Sequence, residues 1–151
     1  MKRIRMLSWL VILCGFFTVS SVIAVGNKAR AKQSSDISML VGNWSGESIC
    51  VNKEKFPACN DEQVIYRIVK SSDKANTVTI TMDKLVNNKP ETMGVEDFVY
   101  DAQKRILTSE FKNSRVHLII EFAVTGDLIE GTISSLPDKT IVRRIKVKKE
   151  K

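Results

Sequence analysis

A single histidine, His117, stands among 151 residues, with only three cysteines. One imidazole cannot supply the clustered His, Cys or carboxylate ligands that a metal site requires. A Ser or Cys nucleophile needs a base held by a third group, and His117 is the only histidine to consider for it. The surrounding pattern offers no such setting. His117 shares a face with Ile119 and Glu121, opposite the apolar series Val116, Leu118, Ile120, Phe122 and Val124, so it reads as an exposed cross-strand residue. No serine sits in an elbow motif, and Glu96 and Asp97, as neighbours in a strand, point to opposite faces rather than forming an acid/base pair. The expectation is a protein that is not an enzyme and uses neither metal nor cofactor. Helical periodicity is also missing, which excludes a helical bundle.

The first 31 residues contain no acidic side chain. Lys2, Arg3 and Arg5 precede an apolar run over 6–25 that small residues interrupt, which is the layout of a secretory signal. Cleavage is expected after Ala24, leaving 25–38 as a small, polar, aperiodic linker; an uncleaved leader would be the chain's one membrane contact. Cys14 follows Leu13 rather than a small residue, so it does not read as a lipoprotein cysteine. The chain is therefore expected in the periplasm or outside the cell.

Most of the +7 formal charge belongs to this leader. From Lys32 onward 19 Lys and Arg face 17 Asp and Glu, a net of +2, and seven of the basic residues crowd into 139–151. A basic strand end and tail without interleaved exposed aromatics argue against nucleic acid. About 120 residues then remain, one domain with a modest core, expected over 39–149.

Once the leader is removed, Cys50 and Cys59 are the only cysteines left, in an oxidising compartment, and they are expected to pair. With eight residues between them they suit a structural staple, whereas redox pairs usually have two.

Period-two alternation then repeats eight times, over 40–51, 63–69, 77–86, 93–100, 105–111, 115–124, 128–134 and 140–148, with short turns between. An open meander would expose two edges and an apolar face; rolling the sheet buries the face and pairs the edges. The expected fold is all-β, an eight-stranded antiparallel up-and-down barrel.

Gly42-Asn43-Trp44 resembles the Gly-x-Trp signature that opens the first strand of lipocalins and other calycins. The resemblance implies a lipocalin-like barrel in which Trp44 plugs one end and a basic residue of the last strand, here Arg143, packs across it. The alternative for Trp44 is an ordinary core position, and for Arg143 a buried stem with its head in water. With Trp44 at the closed end, the Cys50–Cys59 loop falls about 20 Å away at 3.3 Å per residue. The binding mouth is then expected at Lys53, Lys55, Phe56, Asp61 and Glu62, together with Tyr66, Phe98 and Tyr100. Tyr66, Phe98, Tyr100, Phe111 and Phe122 would line the interior or fill it as a solid core.

Two functions follow. One is a small exported binding protein that takes an apolar or amphipathic ligand at the barrel mouth. The other is an interaction module: small bacterial inhibitors of metalloproteases and of lysozyme resemble this chain in being exported, eight-stranded and disulfide-bonded. The protease inhibitors place a Trp and then a Cys in the first strand, as Trp44 and Cys50 stand here, and the resemblance implies that 25–38 would be the tail offered to the enzyme.

Overall fold

The computed structural model describes residues 37–151. The expected leader, its cleavage point after Ala24 and residues 25–36 of the expected linker lie outside the described residues. Ile37 and Ser38, the last two positions assigned to that linker, belong instead to a 3-10 turn, Ile37–Leu40.

Eight strands follow: β1 Gly42–Cys50, β2 Glu62–Lys70, β3 Thr77–Val86, β4 Lys89–Asp101, β5 Ile106–Lys112, β6 His117–Thr125, β7 Leu128–Ser135 and β8 Thr140–Lys149. Each pairs antiparallel with the next, and β8 returns to β1, so the sheet is a closed up-and-down barrel. Alternation is the cause: Trp44, Val64, Tyr66, Ile68, Ile80, Phe98, Leu107, Phe122 and Val147 are all buried, while residues between them face solvent. Among the described residues there is no α-helix, and none long and apolar enough to cross a membrane.

Two strand starts differ from the sequence expectation. Leu40 is not strand but the end of the 3-10 turn, where its carbonyl accepts the Trp44 indole N–H at 2.8 Å. β4 begins at Lys89 rather than at 93 because Asn87 and Asn88, with φ of 50° and 61°, make a two-residue turn. Tight hairpins need positive φ at both central positions, and asparagine tolerates it. Met93 is then the extra residue in a bulge, since Met82 pairs with Gly94 and Asp83 with Thr92.

In an up-and-down barrel alternate connections gather at opposite ends. The 3-10 turn and the connections at 71–76, 102–105 and 126–127 lie at one end; those at 51–61, 87–88, 113–116 and 136–139 lie at the other. The first end is closed. Leu40 and Trp44 are fully buried there, Ile37 packs against the core, and Lys149 Nζ sits 5.7 Å from the Trp44 ring centroid while donating to the Met39 carbonyl at 2.7 Å. Toward the middle, Phe122 stacks on Phe98 at 5.4 Å and on Tyr66 at 5.9 Å, joining three strands through aromatic rings.

Two glycines allow neighbouring strands to close on one another. A Cβ built on Gly46 would lie 2.1 Å from the Lys146 carbonyl oxygen of β8, and one on Gly131 would lie 2.0 Å from the Glu121 oxygen of β6. These obstacles are backbone, which cannot rotate away, so either substitution must part a ladder that holds the ring shut. Gly131→Ala is accordingly expected to destabilise the barrel by about 1–3 kcal/mol, the usual cost of forcing extra volume into packed structure. Denaturant unfolding monitored by Trp44 fluorescence measures it; an unchanged midpoint would show that the ladder yields without cost.

Candidate functional site

The end opposite Trp44 holds a cavity of about 230 Å³ that opens to solvent. Its apolar wall consists of Met82, Met93, Phe111, Leu118, Ile120 and Ile133, and its polar groups are Ser48, Glu62, Tyr66, Glu96 and Arg143. Apart from Tyr66 and Glu96, which lie near mid-strand, these residues come from strand halves that border the connections at 51–61, 87–88, 113–116 or 136–139.

Arg143 is the most connected of them, and its place corrects the sequence expectation that it packs across Trp44. The antiparallel register of β1 and β8 pairs Cys50 with Arg143 and Trp44 with Lys149. Six residues of extended chain, about 20 Å, therefore separate Arg143 from the indole. Lys149 takes the position over the ring. The Arg143 guanidinium instead donates from Nε to Ser48 Oγ at 2.7 Å, and from Nη2 to the Asn60 carbonyl at 2.7 Å and to Glu62 Oε2 at 2.5 Å. A longer contact runs from Nη1 to Cys59 Sγ at 3.4 Å. Its side chain is 15% exposed and that of Glu62 21%, so this ion pair is largely withdrawn from water. A cation removed from water needs a close counter-charge and filled donors, and both are present.

The disulfide between Cys50 and Cys59 is formed, with Cα atoms 5.9 Å apart. It pins the β1–β2 loop over the same rim. Within the loop Asp61 accepts the Cys50 amide at 2.9 Å and pairs with Lys53 at 3.2 Å. Lys55 crosses to Asp138 in the β7–β8 turn at 2.5 Å, with Phe56 beneath it at 6.0 Å. The Cys50 amide, then Lys53, hold the Asp61 carboxyl below the usual carboxylate value; Lys55, then Thr140, do the same for Asp138, more strongly. Burial raises the Tyr66 phenol above its ordinary value, with Arg143 opposing and Glu62 adding slightly.

The residues expected at a mouth thus divide. Glu62 and Tyr66 line the cavity, and Lys53, Lys55, Phe56 and Asp61 form the loop above it. Phe98 and Tyr100 do not belong there. Phe98 is fully buried under Phe122, and Tyr100 lies two residues from the 102–105 connection at the closed end, because β4 runs from the open end towards the closed one. Of the other interior aromatics, Phe111 borders the cavity and Phe122 fills core. The sequence reading weighs Glu96 only as a partner for Asp97, although its parity with Phe98 and Tyr100 places a carboxylate on an otherwise apolar inner face. Ser48 and Met93 are not singled out.

The seam between β4 and β5 is the least closed of the eight. The two strands pair only where residues 99–101 meet 106–108. Towards the open end their ladder stops, and a surface depression bordered by Val95, Glu96, Asp97, Ser109 and Glu110 lies along the seam. Asp97 there is held by Lys74 at 2.7 Å and by Thr79 at 2.7 Å, and Glu110 lies 2.6 Å from the outward-facing His117 Nε2. Among the described residues no group of three or more His, Cys, Asp or Glu could hold a metal ion.

Two outcomes are expected from this end of the barrel. The paired variant Cys50→Ser/Cys59→Ser should unfold about 2.5–3 kcal/mol more easily, the chain-entropy value for so short a loop, in urea titrations with and without reductant. The depressed carboxyls at Asp61 and Asp138 favour the fold when ionised. Their contribution is complete above the ordinary value of 3.8 and is lost as the pH falls below it through their lower folded values. Melting temperatures taken from pH 7 to pH 2 at constant ionic strength should fall in that acid range. The fall should be shallower in Asp61→Asn/Asp138→Asn, and an equal fall in both proteins would remove these carboxyls from the explanation.

No protein-family model matches the sequence, and no curated protein does.

Proposed function

We propose that this chain is a small exported binding protein that holds an apolar or amphipathic molecule in the open end of its barrel. The observation that carries the reading is the cavity: about 230 Å³, walled largely by aliphatic, methionine and aromatic side chains, with Ser48, Glu62, Tyr66 and Arg143 at one side and Glu96 at another. Ligand sites in general combine an apolar wall with a small number of convergent polar groups. An enclosed space of about 150 Å³ holds benzene, so by proportion this one suits a molecule of about nine heavy atoms.

The polar side is held together by the protein's own groups. Ser48, Asn60 and Glu62 hold Arg143, and the disulfide holds the loop that carries Asn60, so little ordering would be charged against binding. Export is supported by the basic and apolar leader and by the disulfide, which suits an oxidising compartment. The lipocalin-like reading draws on Gly42-Asn43-Trp44 at the start of a closed eight-stranded barrel, with the indole buried at one end under a cation from the last strand.

Titration of isotope-labelled protein with octanol, octanoate and octylamine, each of about nine heavy atoms, tests the reading. At least one should give saturable amide shifts centred on Phe111, Leu118, Ile120 and Ile133. Leu118→Trp, which fills the cavity from its wall, should abolish them with the unfolding midpoint little changed. If none of the three produces a saturable response, the barrel end is not a binding site.

A further inference from the structure

Resting on the binding reading above, the geometry points to a cationic amphiphile as the ligand, an alkyl- or arylamine whose charged end is held by Glu96 at the β4–β5 seam. Three charged side chains line the cavity: Glu62, Glu96 and Arg143. Two of them cancel, because Arg143 and Glu62 form a close ion pair at 2.5 Å. The remaining donors of Arg143 are directed to Ser48, Asn60 and Cys59, so an anionic ligand would have to displace protein partners to reach it. Glu96 is different. Among the described residues its carboxylate forms neither a hydrogen bond nor an ion pair, and it is half-buried in an otherwise apolar wall.

A carboxylate kept partly out of water without a partner is unfavourable, and an incoming cation removes the penalty. Position strengthens the point. Glu96 borders both the inner cavity and the outer depression along the β4–β5 seam, where the ladder has stopped. A cationic head at Glu96 would therefore sit at the threshold between them with its tail directed inward. Of the other charged groups bordering that depression, Asp97 and Lys74 cancel as an ion pair at 2.7 Å, and Glu110 lies beside His117, so none of the bordering residues offers Glu96 a free cation. Tyr66 and Phe111 add aromatic surface inside the cavity, which favours cations over anions.

Three probes of equal carbon number and different charge decide the matter: octylamine, octanol and octanoate, titrated into the purified protein by calorimetry. Octylamine is expected to bind about tenfold more tightly than octanol, the usual worth of one charge-assisted hydrogen bond, and octanoate more weakly than either. Glu96→Gln should bring octylamine to within about twofold of octanol while leaving octanol unchanged, and Glu96→Lys should reverse the order in favour of octanoate. Equal affinities for the three probes, or octanoate binding tightest, overturns the inference and leaves the binding reading intact. Silence from all three overturns both. The wild-type series stands alone should either variant fail to fold, which circular dichroism reports.

Discussion

The ladder between β1 and β8 is the constraint on which the rest of the molecule depends, because it alone turns an eight-stranded ribbon into a ring. Without it two strands would expose unpaired amides and carbonyls, and the inner apolar face would have no cover. Its register does more than close the sheet. By pairing Trp44 with Lys149 and Cys50 with Arg143, it sends one cation of the last strand to each end of the barrel. Lys149 lies over the indole, where its stem covers apolar surface and its head reaches a carbonyl. Arg143 reaches the disulfide rim, where a planar group with five donors can satisfy a hydroxyl, a carbonyl and a carboxylate together.

That division marks how far the fold could be read from sequence. Alternation has period two, so it tells which face a residue occupies but not how far along the barrel it lies. A slip of two residues preserves every face and moves every height. The eight strands, the ring and the disulfide are matters of face and count, and they were legible. Which cation of 143, 145, 147 and 149 parity meets Trp44 is a matter of height, and so is the separation of Phe98 and Tyr100 from the open end. Both were misplaced for that one reason. Glu96 was legible beyond its comparison with Asp97: a carboxylate in phase with Phe98 and Tyr100 breaks the apolar face, and the break borders the cavity.

The two ends of the barrel also differ in what their inner faces contain. Trp44 and Tyr100 occupy the closed end, the three stacked rings cross the middle, and Ile37 and Leu40 close the bottom. Towards the disulfide Val64, Met82 and Ile120 are still buried, but β1 and β5 contribute Ser48 and Ser109, and β4 contributes Gly94. A ring of fixed strand number has a nearly fixed diameter. Trp44 and the stacked rings therefore make a solid plug over one end and the middle, whereas Ser48 and Gly94 leave a space among the apolar side chains of the other.

A space of that kind would ordinarily be closed by collapse of its walls, since voids forfeit dispersion contacts. Two features oppose collapse here. The disulfide and the Lys55–Asp138 pair tie the β1–β2 loop to the β7–β8 turn, fixing the rim on one side. The Arg143–Glu62 pair, with its ties to Ser48 and Asn60, acts as a strut across β1, β2 and β8. On the opposite side, where β4 and β5 part, no comparable tie among the described residues crosses the seam at Glu96. The ties are thus concentrated on the side where Arg143 and Glu62 neutralise one another, and Glu96 lies on the side where the β4–β5 ladder has stopped.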